Sequence, residues 1–331
     1  MSNWVAGIIF LVVKAGAVLI LLLLSAAYLV WVERKLLGRM QVRYGPNRAG
    51  KFGLLQPLAD LIKLITKEDT VPEGANKIMF LFAPAVVGSV ALLIFSVIPI
   101  TEGLTLFGKR IPMVLSDLNV GLLFILALSS ISVYGIAIGG WASNSKYSLL
   151  GAIRGSAQMI SYELPLGLSL VPIVMMAHSF SLVDIVNAQS RHPFLLVQPL
   201  SFVIFFISSV AEVKRIPFDL PEAENELVAG YHTEYSGMRF GLFFLGEYIT
   251  MIILGCLVAV FFLGGWRGPF LPPFLWFLVK VGMTVFVLIW FRATLPRLRY
   301  DQLMRVGWKV LLPIALLNIV VTGGVILMVE G

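Results

Sequence analysis

Apolar residues fall into eight long blocks along the chain, at roughly 5–32, 78–100, 118–140, 157–177, 194–213, 240–263, 272–294 and 308–329. A helix needs about 20 apolar residues to cross a bilayer. The pattern therefore predicts an all-α, polytopic membrane protein of eight spans, folded as one helical domain over 1–331. The first polar stretch, 33–77, contains a different signal. Over 53–69, Leu54, Leu58, Leu61 and Ile65 recur on one helical face, while Gln56, Asp60, Lys63 and Lys67 share another. Too short and too charged to cross, this helix is expected to lie on the membrane surface with its apolar side down.

Composition supports the membrane reading. The 331 residues are 59% hydrophobic and 13% charged, where soluble domains carry about 25% charged residues. The net charge of +7 does not point to nucleic acid, because the basic residues sit in stretches beside apolar spans. The polar stretches at 33–77, 141–156, 212–239 and 292–309 hold nineteen Lys and Arg; those at 101–117, 178–193 and 264–271 hold four. That asymmetry predicts the first set in the cytoplasm, with both termini outside. The run from 5 to 32 is too long for a signal peptide, so an uncleaved anchor is expected. No internal repeat is visible, which weakens a stand-alone carrier reading.

Metal and nucleotide chemistry find little support. The single cysteine, Cys256, lies in an apolar block, and His178, His192 and His232 are far apart. A cysteine-ligated cluster within the chain is excluded, and no metal motif is visible. Residues 45–51 match the spacing GxxxxGK, but a span lies upstream and Phe52 replaces the magnesium-binding hydroxyl. The segment Arg43-Tyr44-Gly45-Pro46-Asn47-Arg48 reads as a rigid basic turn.

Acidic residues carry the strongest chemical signal. Six of eighteen lie between 212 and 234: Glu212, Asp219, Glu222, Glu224, Glu226 and Glu234. Two more, Glu163 and Glu247, fall inside apolar blocks. A carboxylate there costs roughly 3 kcal/mol on insertion scales, so neither is expected to face lipid. They either bond to a neighbouring helix or belong to a proton path. Lys280 is the expected intramembrane partner for one of them, whereas Lys14 lies nearer the outer end. In a helix Glu222 and Glu226 share a face, and two such carboxylates repel by about 2 kcal/mol. The pair would then share a proton near neutrality, or form a solvated acidic face; spacing does not decide. Arg292, Arg297 and Arg299 either face this acidic stretch or serve orientation alone.

Taken together, residues 33–41, 43–48, 56–60, 140–147, 157–163, 215–222, 234–238 and 297–302 carry a family resemblance. The chain resembles the H-type subunit of the proton-pumping NADH:quinone oxidoreductase (respiratory complex I), the counterpart of mitochondrial NADH dehydrogenase subunit 1. The resemblance implies a membrane component of that enzyme at the joint between its redox and membrane arms, forming most of a quinone tunnel. It also implies a proton-coupling chain through Glu163, Glu212, Asp219, Glu222, Glu224, Glu226 and Glu247. Quinone-tunnel positions would be Arg34, Arg39, Ala59, Asp60, Arg292, Arg297 and Arg299. The implied substrate is a quinone, ubiquinone or menaquinone, with FMN and iron–sulfur clusters held by partner subunits of the cytoplasmic arm. Membrane-arm pump subunits and lipid would be the other partners, with no nucleic acid, in the inner cell membrane. Related subunits serve membrane-bound hydrogenases, deazaflavin-linked dehydrogenases and ferredoxin–plastoquinone complexes. The complete Glu234-Tyr235-Ser236-Gly237-Met238 block and the basic turn favour the NADH enzyme.

Overall fold

The computed structural model describes residues 2–106, 109–111, 113–221 and 228–330. Among the described residues, seven helices are long and apolar enough to cross a membrane. They are α1 (Ser2–Met40), α3 (Lys77–Phe95), α4 (Gly121–Ala142), α5 (Lys146–Ala177), α9 (Gly237–Phe262), α10 (Pro273–Thr294) and the last, which joins α11 (Tyr300–Val306) to α12 (Leu312–Glu330) through a π-turn at Gly307–Leu311. The surface helix α2 (Gln56–Thr66) and the short helices α6 (Leu182–Ala188) and α7 (Phe194–Val197) lie between them. One two-stranded antiparallel ribbon, β1 (Leu104–Leu106) with β2 (Lys109–Ile111), bridges α3 and α4.

The block expected at 194–213 is not one full-length span. It divides at Gln198 into α7 and α8 (Pro199–Glu212), the latter 14 residues long. Pro199 disfavours helical backbone at the residue before it while suiting the first helical position itself, and Gln198 accordingly leaves the helix at φ −127°. At 1.5 Å per residue α8 is about 21 Å long, short of the ~30 Å hydrocarbon core. Two other ends differ from expectation. α1 continues to Met40, so Glu33, Arg34 and Arg39 ride on its last turns rather than in a loop. α5 begins at Lys146, eleven residues before the apolar block. Apolarity marks the part of a helix in lipid, not where its hydrogen bonds stop.

α8 is held at the centre by α5 and α9. Phe205, at 0% exposure, packs on Phe261 and Phe262 of α9. Its start is tied to α12 by side chains: Asn318 donates to Gln198 and Ser201, and Gln198 donates to Thr322. Inside a bilayer such amide and hydroxyl bonds replace the missing hydrophobic drive between helices. At its other end Gln158 of α5, fully buried, donates to the carbonyls of Ala211 and Phe218 and pins the chain as it leaves the helix. Gly151 of α5 touches the backbone of Gly230, where a Cβ would stand 2.8 Å from Gly230 Cα. This contact sets the turn Gly230–His232 against the bundle. A second, smaller core forms there, with Phe80 stacked on Tyr235 at 4.0 Å between ring centres.

Candidate functional site

Two chambers meet at the C-terminal end of α1. The first, about 370 Å³, lies between α1, α2 and α9 and is lined chiefly by apolar side chains such as Ala26, Leu61 and Leu245. The second, about 440 Å³, is lined by Glu33, Arg43, Tyr44 and Arg292. Arg34, Phe244 and Tyr248 belong to both walls. The fold thus offers an apolar slot leading into a charged end. The slot's roof is α2, whose polar edge is latched by Arg34 to Asp60 at 2.8 Å. Its far end is held to α9 by Arg239 on Asp69 at 2.9 Å and by Ser236 on the Glu68 carbonyl.

Beyond the charged end sits a buried ion cluster. Glu33, at 1% exposure, accepts from Arg215 at 3.1 Å and from Arg292. Arg215 also lies 2.8 Å from Glu247 of α9 and stacks over the Tyr248 ring at 4.8 Å. Burial alone would lower the Arg215 pKa, but Glu247 and Glu33 outweigh it and raise it. The guanidinium stays charged and bridges two acids from different helices, which its planar fork suits.

Past this bridge lie further acids of a different kind. Glu212, the last residue of α8, lines two voids of about 40 Å³. The second of these is shared with Glu247, Lys214, Ser132 and Thr250. A void this size holds one to a few waters. Ser129 of α4 is within hydrogen-bonding reach of Glu212, and the neighbouring Glu163 charge acts on it. Glu163 itself accepts a hydrogen bond from Ser130. Glu33, Glu247, Glu212 and Glu163 therefore succeed one another from the charged chamber into the bundle.

The remaining expected positions separate. Asp219 pairs with Arg297 at 2.9 Å; burial raises its carboxyl pKa against the opposing pull of Arg297. Arg299 bonds within its own turn to Asp301. Ala59 and Arg39 are exposed and line neither chamber. Glu222, Glu224 and Glu226 lie outside the described residues. Lys280 does not meet a glutamate as expected: its ammonium donates to the carbonyls of Leu263, Gly265 and Arg267 just past the end of α9. Orphan carbonyls and a helix C-terminus satisfy a cation as well as a carboxylate does.

Sequence reasoning missed Glu33, Arg215, Lys214 and Tyr248. Arg215 and Lys214 counted only as loop charges for orientation, and Glu33 as the edge of a basic stretch. A signal was present: Arg215 lies three residues after Glu212, at the one place where basic residues adjoin the acid-rich segment.

The architecture and site together define a polytopic helical membrane protein with a two-part chamber and a buried acid–arginine array. Comparison with known proteins gives the family. A family model described as NADH dehydrogenase matches residues 13–323. The chain is 67% identical over 327 residues to an H-type subunit of NADH-quinone oxidoreductase from Syntrophobacter fumaroxidans, covering 99% of both chains. It is 64% identical to an H-type subunit of the same enzyme from Geobacter metallireducens (95% of this chain, 96% of that one) and 59% identical to the one from Syntrophotalea carbinolica (97% and 98%). The chain belongs to the NADH dehydrogenase family of membrane subunits.

Proposed function

We propose that this chain is the membrane subunit of an NADH:quinone oxidoreductase that encloses the quinone's path and couples quinone reduction to proton translocation. The observation that carries the reading is the junction itself. An apolar slot of about 370 Å³ adjoins a polar chamber walled by Glu33, Arg34 and Arg292, an arrangement that suits an isoprenoid tail and a polar headgroup. Reducing a quinone takes two electrons and two protons. With one cysteine in the chain, the electrons come from partner subunits holding FMN and iron–sulfur clusters. Charge appearing at the quinone acts first on the Glu33–Arg215–Glu247 bridge, and through the shared void on Glu212 and Glu163. Membrane-arm partners receive the resulting proton shift.

Among the described residues seven helices are long enough to cross, and α8 is a shorter apolar helix packed among them. The Lys and Arg asymmetry supports both termini on the outer face of the cell membrane, with the basic 33–77 and acidic 212–239 segments in the cytoplasm. Ala27→Trp tests the slot, because Ala27 lines it. In the assembled complex, NADH oxidation by hexacyanoferrate should persist while quinone reduction falls at least tenfold. Unchanged quinone reduction would remove the slot from the quinone's path.

A further inference from the structure

Lys214 is the one cation lining the void that Glu212 and Glu247 share, among the described residues. Its neighbour Arg215 is committed to the Glu33–Glu247 bridge on the chamber side. Lys214 is not a surface lysine: it is 7% exposed, although lysines beside a membrane ordinarily snorkel to water. Its backbone is left-handed, φ +59°, a conformation that costs an L-residue about 1–2 kcal/mol. Strain of this kind persists only where surrounding structure imposes it. Here the turn directs the side chain inward. The ammonium donates to the Tyr231 hydroxyl at 3.2 Å and lies 4.9 Å from the centre of that ring. Tyr231, at 2% exposure, is fixed in turn through the Gly151–Gly230 backbone contact.

The charge is felt nearby. His232, next to Tyr231, is pushed down to about 4, first by burial and then by Lys214. The charged and titratable groups facing this region are Tyr231 and His232 on the 230–232 turn, Glu212 and Arg215 on the segment of Lys214, Glu247 on α9, and Glu163 on α5 acting on Glu212.

We infer that Lys214 is a positioning residue of the coupling path, a buried ammonium beside the void shared by Glu212 and Glu247 that favours the ionised form of Glu212 and so sets the pH at which that void passes a proton. Tyr231 holds it at the wall. The inference rests on the proposed function and deepens it: the path's working pH is set by a cation inside it, not by its acids alone.

Lys214→Met keeps the side chain's length and volume and removes the charge; Lys214→Arg restores a charge. The assay is the pH profile of proton translocation driven by NADH and quinone in membranes carrying the assembled complex, with Glu212→Gln measured alongside. Removing the ammonium should move the profile's midpoint to higher pH by about one unit, the order of a neighbouring-charge effect on a carboxyl group. Lys214→Arg should return the midpoint toward wild type. A redox-difference infrared spectrum should show a stronger protonated-carboxyl band in Lys214→Met than in wild type at the same pH. If Glu212→Gln abolishes translocation while Lys214→Met keeps the wild-type midpoint and spectrum, the assignment of Lys214 is overturned and the coupling path stands. If Glu212→Gln translocates at the wild-type rate, the proposed function falls with it. Should Lys214→Met fail to assemble, Lys214→Gln and Tyr231→Phe take its place; an unmoved midpoint in both counts against the assignment.

Discussion

The two acid groups on either side of Glu247 are built on opposite principles. On the chamber side, Glu33 and Glu247 share Arg215, and Glu33 has Arg292 as well. On the bundle side, Glu212 and Glu163 lie against the hydroxyls of Ser129 and Ser130 and against each other's charge. A carboxylate bridged by a buried guanidinium has one stable state, because protonating it would strand the cation. A carboxylate facing a hydroxyl is satisfied in either state, since the hydroxyl accepts as readily as it donates. The first arrangement fixes charge at the end of the chamber. The second lets a proton come and go. Glu247 touches both, through Arg215 on one side and the common void on the other, so under the proposed function it is the residue that joins the fixed half to the variable one.

Breaking the fixed half should have the largest effect. Arg215→Met leaves Glu33 and Glu247 buried without their bridge, and removal of one partner from a buried pair costs roughly 3–5 kcal/mol. The expected outcome is a complex that assembles poorly or melts at clearly lower temperature, measured by yield of the intact complex and by thermal unfolding. Arg215→Lys should rescue only part of this, because a point charge cannot span two carboxylates. If Arg215→Met assembles and melts like wild type, the bridge is not structural and the contrast between the halves disappears.

Breaking the variable half should leave the fold intact and remove the coupling. Glu212→Gln preserves shape and the contact to Ser129, so the melting temperature should stay within a few degrees of wild type. Proton translocation per quinone reduced should fall at least tenfold, with NADH oxidation by hexacyanoferrate unchanged. Equal loss of stability in Glu212→Gln and Arg215→Met would show both halves to be structural.

A third test sharpens the comparison by pH. His232 is a half-buried base near Lys214, held down to about 4 chiefly by desolvation, whereas an unfolded histidine titrates near 6.5. Between those values the unfolded segment takes a proton that the folded one refuses. Its stability is therefore complete above about pH 6.5 and declines as pH falls toward 4, with a slope approaching 1.4 kcal/mol per unit. Hydrogen exchange across 228–236 should accelerate over that range, and His232→Gln should flatten the response. The Arg215 bridge should show no such change in the same window.

The sequence made the lipid-facing part of this design legible and left the charged part obscure, for one physical reason. Apolar periodicity reports what faces lipid, so it located seven spans and the surface helix, and it overran only at 194–213, where the chain breaks at Gln198. Ion pairs join residues far apart in the chain: Glu33 to Arg215 is 182 positions, and Glu33 to Arg292 is 259. No local pattern encodes them. Lys280 illustrates the error that follows. Charge alone suggested a glutamate partner, but its acceptors are backbone carbonyls that every sequence carries and none displays. Ala59 and Arg39, implied by resemblance as quinone-tunnel positions, are exposed in this chain and line neither chamber, so nothing within it displays their role.

The smallest effect belongs to the latch over the slot. Arg34 and Asp60 pair at 2.8 Å, but their side chains are 44% and 24% exposed. Water screens such a pair, and its contribution to stability is at most about 1 kcal/mol. Asp60→Asn should therefore not change the melting temperature measurably. What it loosens is the seat of α2, which Arg239 and Ser236 still hold at the other end. The expected signature is kinetic: KM for a short-tailed quinone rises a few-fold while kcat changes little, because the latch shapes the entrance and touches no proton-bearing group. A fall in kcat with unchanged KM would move Asp60 from the entrance into the coupling path, and would extend the variable half of the array across the chamber to the surface helix.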